Sequence, residues 1–238
     1  MFNKQLAALL VAAAFASPMI AQAETHAHGD AAVARAYIKE ILADDNAYIA
    51  AHDSAFFKKL AEGQHPRATV VTCSDSRVHT NALDRTPEGD LFMVRNIGNQ
   101  FSTAKGSVQY GVNHLASSLL LFIGHSRCGA IGAASGDYST LEAPIKKELD
   151  TINIAKGSAN IDGVKVNVNN QVAAALVEWA DKVKNGELLI VGAVYDFADD
   201  MKQGAGKLNI ININGETDPA KLSNMPAPAA VEHEHDHH

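Results

Sequence analysis

Ala68-Thr69-Val70-Val71-Thr72-Cys73-Ser74-Asp75-Ser76-Arg77-Val78 decides how the chain folds. Its first five residues are apolar or β-branched with no polar alternation. That is the pattern of a strand buried on both faces of a parallel sheet. The run then stops in Cys73, Asp75 and Arg77. In open α/β sheets the reactive groups collect at the carboxyl ends of the strands. The pattern returns further on, where Leu119-Leu120-Leu121-Phe122-Ile123-Gly124 leads into His125-Ser126-Arg127-Cys128-Gly129. Working outward, 90–96 and 187–195 read as two more strands. A fifth, over 208–213, alternates and so suits an edge. Helices are expected over 106–118, 128–135, 143–155 and 166–183, with loop over 98–105 and loop or a short helix over 81–89. Strands alternating with helices predict an α/β fold with a central, mainly parallel β-sheet flanked by helices.

Upstream, Val33, Tyr37, Ile41, Tyr48, Ile49, Phe56, Phe57 and Leu60 recur at helical spacing. They predict an N-terminal helical arm over 31–62, with a break at Asp44-Asp45-Asn46. Before it come Lys4, an apolar run over 6–20 and Ala21-Gln22-Ala23. This is the charge, core and cleavage-site order of a signal peptide over 1–23. The apolar run is too short to span a bilayer comfortably. The expectation is one folded domain over 24–215, exported to a bacterial periplasm, with no membrane span in the mature chain. From 216 the apolar pattern is lost, and the chain ends in Glu232-His233-Glu234-His235-Asp236-His237-His238. The segment 216–238 therefore reads as a disordered, His-rich tail, of a kind that can capture zinc or nickel weakly. The formal charge of −7 is a poor match for nucleic acid, which needs a basic footprint, and serves solubility instead.

The chain has two cysteines, Cys73 and Cys128. In an exported protein two cysteines suggest a disulfide. Here each sits at the end of a buried strand, one with an Asp two residues on and the other with a His three residues before. The second reading is a zinc site of Cys73, His125 and Cys128. Two thiolates and one imidazole leave a tetrahedral position open for water, which is a catalytic pattern. Bound Zn2+ brings the pKa of water to about 7, so a hydroxide nucleophile exists near neutrality. In extended geometry Asp75 and Arg77 share the side of Cys73. Asp75 could then orient the zinc-bound hydroxide with Arg77 holding it ionised, or could itself be a fourth zinc ligand at low pH. An ordinary surface ion pair is the plainer alternative.

Cys73-Ser74-Asp75-Ser76-Arg77-Val78, Asp90-Leu91-Phe92-Met93-Val94-Arg95-Asn96-Ile97-Gly98-Asn99 and Gly124-His125-Ser126-Arg127-Cys128-Gly129-Ala130 resemble the three signature stretches of the β-class carbonic anhydrases. They stand in the family's order and spacing, looser similarity extends through 107–111, 167–172 and 192–196, and the resemblance as a whole covers roughly 31–213. The resemblance implies zinc on Cys73, His125 and Cys128, an Asp75–Arg77 catalytic dyad, and reversible hydration of CO2 to bicarbonate and a proton. It implies active sites built at a dimer interface, hence a homodimer or a dimer of dimers. Gln64, nine residues before Cys73, resembles the substrate-pocket amide of the plant-like branch. Phe92, Ile97 and Tyr110 match that branch's pocket lining. Three positions depart from the pattern. His79 stands where many members have Pro, and is either a proton shuttle or an exposed loop residue. Val70 stands where the branch with an allosteric bicarbonate site often has Trp, which favours an open site. Gln109 stands where Glu is frequent, with no consequence that can be derived. Two other functions fit the same residues: hydrolysis of a CO2 analogue such as COS or CS2, and non-enzymatic periplasmic zinc binding.

Overall fold

The computed structural model describes residues 31–223. The segment read as a signal peptide, 1–23, and residues 224–238 of the tail read over 216–238 lie outside the described residues. The chain divides into two compact units, one ending at Phe57 and the other beginning at Lys58. In the first, α1 (Ala31–Ala51) runs unbroken through Asp44-Asp45-Asn46. The expected break is not there because Asn46 Nδ2 donates 2.8 Å to the Leu42 carbonyl one turn back, which ties it into the helix. The break falls at His52-Asp53. Asp53 Oδ1 accepts the Phe56 N–H at 2.9 Å and opens α2 (Ser54–Ala61). No residue of α1 is buried.

The second unit holds β1 (Ala68–Cys73), β2 (Leu91–Asn96), β3 (Leu119–His125), β4 (Leu189–Asp196) and β5 (Lys207–Ile213). They form one sheet in the order β2-β1-β3-β4-β5. The first four are parallel, and β5 runs antiparallel along the edge of β4. The expected fold class is therefore the observed one. Every residue of β1 is buried, as an inner strand with covered faces requires. The register pairs Thr72 with Ile123 and Cys73 with Asn96, so β1 and β3 end side by side.

The helices differ from expectation at their ends. α3 (Phe101–Gln109) begins inside the stretch read as loop, and continues into a π-helical turn over Tyr110–His114. Its start was hidden because the partners of its first N–H groups are distant or outside the usual cap positions. Gln171 Oε1 takes the Phe101 N–H and Asn96 Oδ1 takes that of Gln100, each at 2.8 Å. α4 (Gly129–Ser135) follows directly from Cys128. α5 (Ala143–Leu149) is shorter than read, because Thr151 Oγ1 turns back to the Glu148 carbonyl at 2.6 Å. α6 (Ile161–Glu178) starts earlier than read, capped by Asn160 Oδ1 on the N–H groups of Asp162 and Gly163. α7 (Ala180–Lys184) is separated from it by Trp179. The segment after 215 opens with structure, a bridge from Glu216 to Ile213 and then α8 (Pro219–Ser223). Among the described residues, no helix is long and apolar enough to cross a membrane.

α6 lies close against β3 and β4, and Gly124 and Gly192 make that possible. A Cβ at either position would come within 2.7 Å of a Val168 methyl. Gly124 immediately precedes His125, so this packing also fixes where the His125 side chain starts.

Candidate metal centre

Cys73 closes β1, His125 closes β3, and Cys128 is the residue from which α4 begins. Adjacent parallel strands thus deliver two donors to one end of the sheet, and the turn between β3 and α4 delivers the third. Their ligand atoms lie within 4.8 Å of one another and all three residues are buried. Both cysteines are free, so they are not joined in a disulfide. His125 Nδ1 lies 3.0 Å from the Ser126 carbonyl. A carbonyl only accepts, so Nδ1 carries the hydrogen and Nε2 is left as a bare lone pair. That Nε2 is buried and has no hydrogen-bond partner. A buried polar atom without a partner is costly unless something occupies the space beside it. A cation bound by two sulfurs and this nitrogen is what the donor set fits, and soft thiolates with imidazole favour zinc.

The thiols are already polarised for that role. The Cys128 thiol donates to Cys73 and holds Cys73 below the ordinary thiol range. Burial opposes this shift, while the Gly98 and Asp75 N–H groups support it. The same Cys73 contact, with burial, pushes the Cys128 thiol up. Two buried sulfurs cannot both be anionic with nothing between them, so they share a proton that a cation would displace.

Several residues that hold this arrangement were not read as functional. Arg95 of β2 donates to the carbonyls of Cys73 (2.9 and 3.1 Å), Asp75 (2.8 Å) and Val78 (2.7 Å), which clamps the loop after β1. Gly98, whose N–H meets Cys73, is held from behind. Its carbonyl accepts from Gln100 Nε2 at 2.6 Å and from Asn167 Nδ2 at 3.0 Å. Asn167 and Gln171 of α6 continue this buried amide network to Gln100. Arg95 and Gly98 stand inside one of the three signature stretches and Asn167 and Gln171 inside the looser similarity over 167–172, but no role for any of them was legible in the sequence.

Asp75 and Arg77 form a doubly bonded ion pair. Arg77 Nε donates to Asp75 Oδ1 at 2.9 Å and Nη2 to Oδ2 at 2.7 Å, and the Arg77 backbone N–H also reaches Oδ1. These bonds hold the Asp75 carboxyl down, at about 2. Oδ2 is 3.7 Å from His125 Nε2, so the carboxylate borders the three donors; Arg77 places two donors on Oδ1 and one on Oδ2, which leaves Oδ2 able to accept one more. The other predicted residues divide between two ends of the sheet. Ile97 follows Asn96, the register partner of Cys73, and is at the metal end. Phe92 pairs with Thr69, and its ring meets that of Tyr110 at 5.9 Å. Thr69 is four residues before Cys73, about 13 Å along the strand at its usual rise. Gln64 lies further back still and is exposed. One chain therefore does not bring Gln64, Phe92 and Tyr110 to its own three donors.

Fold and site together define an α/β metalloprotein with a buried Cys2His centre and an Asp–Arg pair on its rim. A family model described as carbonic anhydrase matches residues 68–204, more than half of the chain. The chain belongs to the β-class carbonic anhydrase family. It is 40% identical over 82 residues to a carbonic anhydrase of Synechococcus elongatus, covering 32% of this chain and 30% of that protein. It is 31% identical over 170 residues to β carbonic anhydrase 5, chloroplastic, of Arabidopsis thaliana, covering 62% and 56%. These matches span from under a third to just over half of those relatives' length. Among solved structures it resembles one of two tetrameric β-carbonic anhydrases from Sordaria macrospora, with a TM-score of 0.58 and 26% identity, over 74% of this chain and 97% of that one.

Proposed function

We propose that this protein is a zinc enzyme that hydrates CO2 reversibly to bicarbonate and a proton. The observation that carries the reading is the buried Cys73–His125–Cys128 donor group with an ionised, immobilised Asp75 at its edge. When bound, zinc supplies a Lewis acid that makes water acidic near neutral pH, with a pKa of about 7. The chain does the rest. His125 offers Nε2 in the tautomer set by the Ser126 carbonyl. Asp75 stays a carboxylate, so it accepts a hydrogen bond from the attacking O–H and orients it, and does not compete as an acid. Arg77 keeps Asp75 ionised and fixed in plane.

In the same proposal Gln64, Phe92, Ile97 and Tyr110 form the substrate pocket of the plant-like branch. An apolar wall with one amide donor suits a linear, nonpolar gas. The placement of Gln64, Phe92 and Tyr110 far along the sheet from Cys73 supports a homodimer, or a dimer of dimers, in which each copy completes the other's pocket. The tetrameric relatives are consistent with that. The sequence of residues 1–23 supports export to the periplasm, with the mature chain starting near Glu24 and the His-rich end as a separate metal-capturing tail. Stopped-flow CO2 hydration by the zinc-loaded protein, with a zinc count per chain, tests the activity. One zinc and rapid turnover are expected. Turnover of COS or CS2 without CO2 hydration, or zinc binding with no turnover at all, would overturn it.

A further inference from the structure

Phe197 is used by none of the roles above, yet its ring touches both halves of the centre. It stacks on His125 with ring centroids 6.0 Å apart and planes 26° from parallel. The Arg77 guanidinium carbon sits 4.8 Å above the same ring. The backbone around Phe197 is tied down. Asp196, fully buried at the end of β4, accepts the N–H groups of Ala198, Asp200 and Met201. Burial pushes the Asp196 carboxyl up, but those three N–H groups outweigh it and the group is held below its ordinary range. The loop that carries Phe197 is thus built around a buried carboxylate, and the Tyr195 ring meets Phe197 from the side at 5.9 Å.

Arg77 needs such a support. Half of its side chain is exposed, and all its side-chain hydrogen bonds, two to Asp75 and one to the Arg127 carbonyl, are made by the guanidinium N–H groups. These donors lie in the guanidinium plane, so none of them contacts either of its faces. A ring face beneath the cation supplies the missing contact.

We propose that Phe197 is a positioning residue. Through its face it sets the tilt of Arg77, and through Arg77 the direction in which Asp75 presents its carboxylate. This rests on the CO2-hydration reading for its consequence in rate, but not for its geometry. The test uses the full zinc-loaded chain and two replacements at position 197. Phe197→Met keeps bulk and loses the π face, and a pentafluorophenylalanine keeps shape while removing the negative ring face. Two readouts are taken: kcat/KM for CO2 hydration, and the rate at which phenylglyoxal modifies Arg77, followed by peptide mass spectrometry. Both replacements are expected to speed Arg77 modification and to lower kcat/KM by about two- to fivefold, the scale of an exposed cation–π contact. Zinc content should stay at wild-type level, and Phe197→Tyr should restore both readouts. If the fluorinated ring leaves Arg77 modification unchanged, Phe197 merely fills space beside His125 and the proposal fails. If Arg77 modification rises while kcat/KM holds, the tilt does not matter to the reaction and the proposal fails as well. A wild-type chain without CO2 hydration would sink the functional reading instead, and the Arg77 rates would still decide the contact.

Discussion

In the proposed reaction the chemistry of the chain is concentrated in one side chain, Asp75. Its proposed value lies in staying an acceptor and not becoming a donor. Asp75→Asn keeps the size and places an N–H2 where a lone pair was. It is expected to retain zinc, since the three donors are untouched, and to lose CO2 hydration by about 100-fold, the lower range for a positioned proton acceptor. Stopped-flow assay with a matched zinc count decides this, and full activity in the Asn variant would remove Asp75 from the mechanism. The pH dependence has a definite sign. The folded carboxyl titrates at about 2, depressed first of all by the Arg77 side chain, whereas a free Asp titrates at about 3.9. The pair's contribution to stability is therefore complete above the unfolded value and is lost as pH falls through about 2. A carbon-detected NMR titration should show the Asp75 carboxylate still ionised at pH 4. A midpoint near 4 would mean that Arg77 does not hold it in solution.

At the scale of elements, the strands were legible and the helix ends were not. β1 and β3 announce themselves as apolar runs that stop at reactive residues, and both stop where the structure ends them. The start of α3 was invisible because Gln171 on α6, seventy positions away, satisfies its first N–H. Asp44-Asp45-Asn46 misled because a turn-favouring residue can also bond back into its own helix. The role of Asn167 and Gln171 in supporting the metal end was unreadable for the same reason as α3: the stretch 167–172 resembles the family only loosely, and only the packing of α6 aims its amides at the loop after β2. Gly98 is the hinge of that support. It has φ +76, and a Cβ there would lie 2.9 Å from Ile152 Cδ1 and 3.2 Å from Ala130 Cβ. Gly98→Ala combines a left-handed backbone with overpacking, and should cost about 1–3 kcal/mol in a denaturant melt. It should also weaken zinc retention against a chelator, because the Gly98 N–H that meets Cys73 moves with the loop. An Ala variant with unchanged melting and zinc affinity would show that the loop is not held as described.

The whole molecule poses a question that one chain cannot answer from within. Its metal donors are at the carboxyl end of the sheet, while Phe92 and Tyr110 are beside Thr69 and Gln64 is before β1. Because Phe92 lies in the same sheet as the donors and Tyr110 packs against it, no side-chain rearrangement closes a gap of about 13 Å set by strand rise. Either the pocket residues serve a second copy or they do not serve this reaction. Two crippled proteins separate these cases. Cys128→Ser removes a metal donor, and Gln64→Ala with Tyr110→Ala removes the pocket wall while leaving the donors intact. Each homodimer should be nearly inactive. In a heterodimer, one site joins the intact donors of the second protein to the intact Gln64 and Tyr110 of the first, and the other site is doubly defective. Random exchange makes half the dimers mixed, so activity should rise to about a quarter of wild type, as two-fold symmetry requires. Native mass spectrometry confirms that exchange has occurred. Mixed dimers that stay as inactive as their parents would place the pocket residues outside the site and leave only the donor group, Asp75 and Arg77 to account for the reaction.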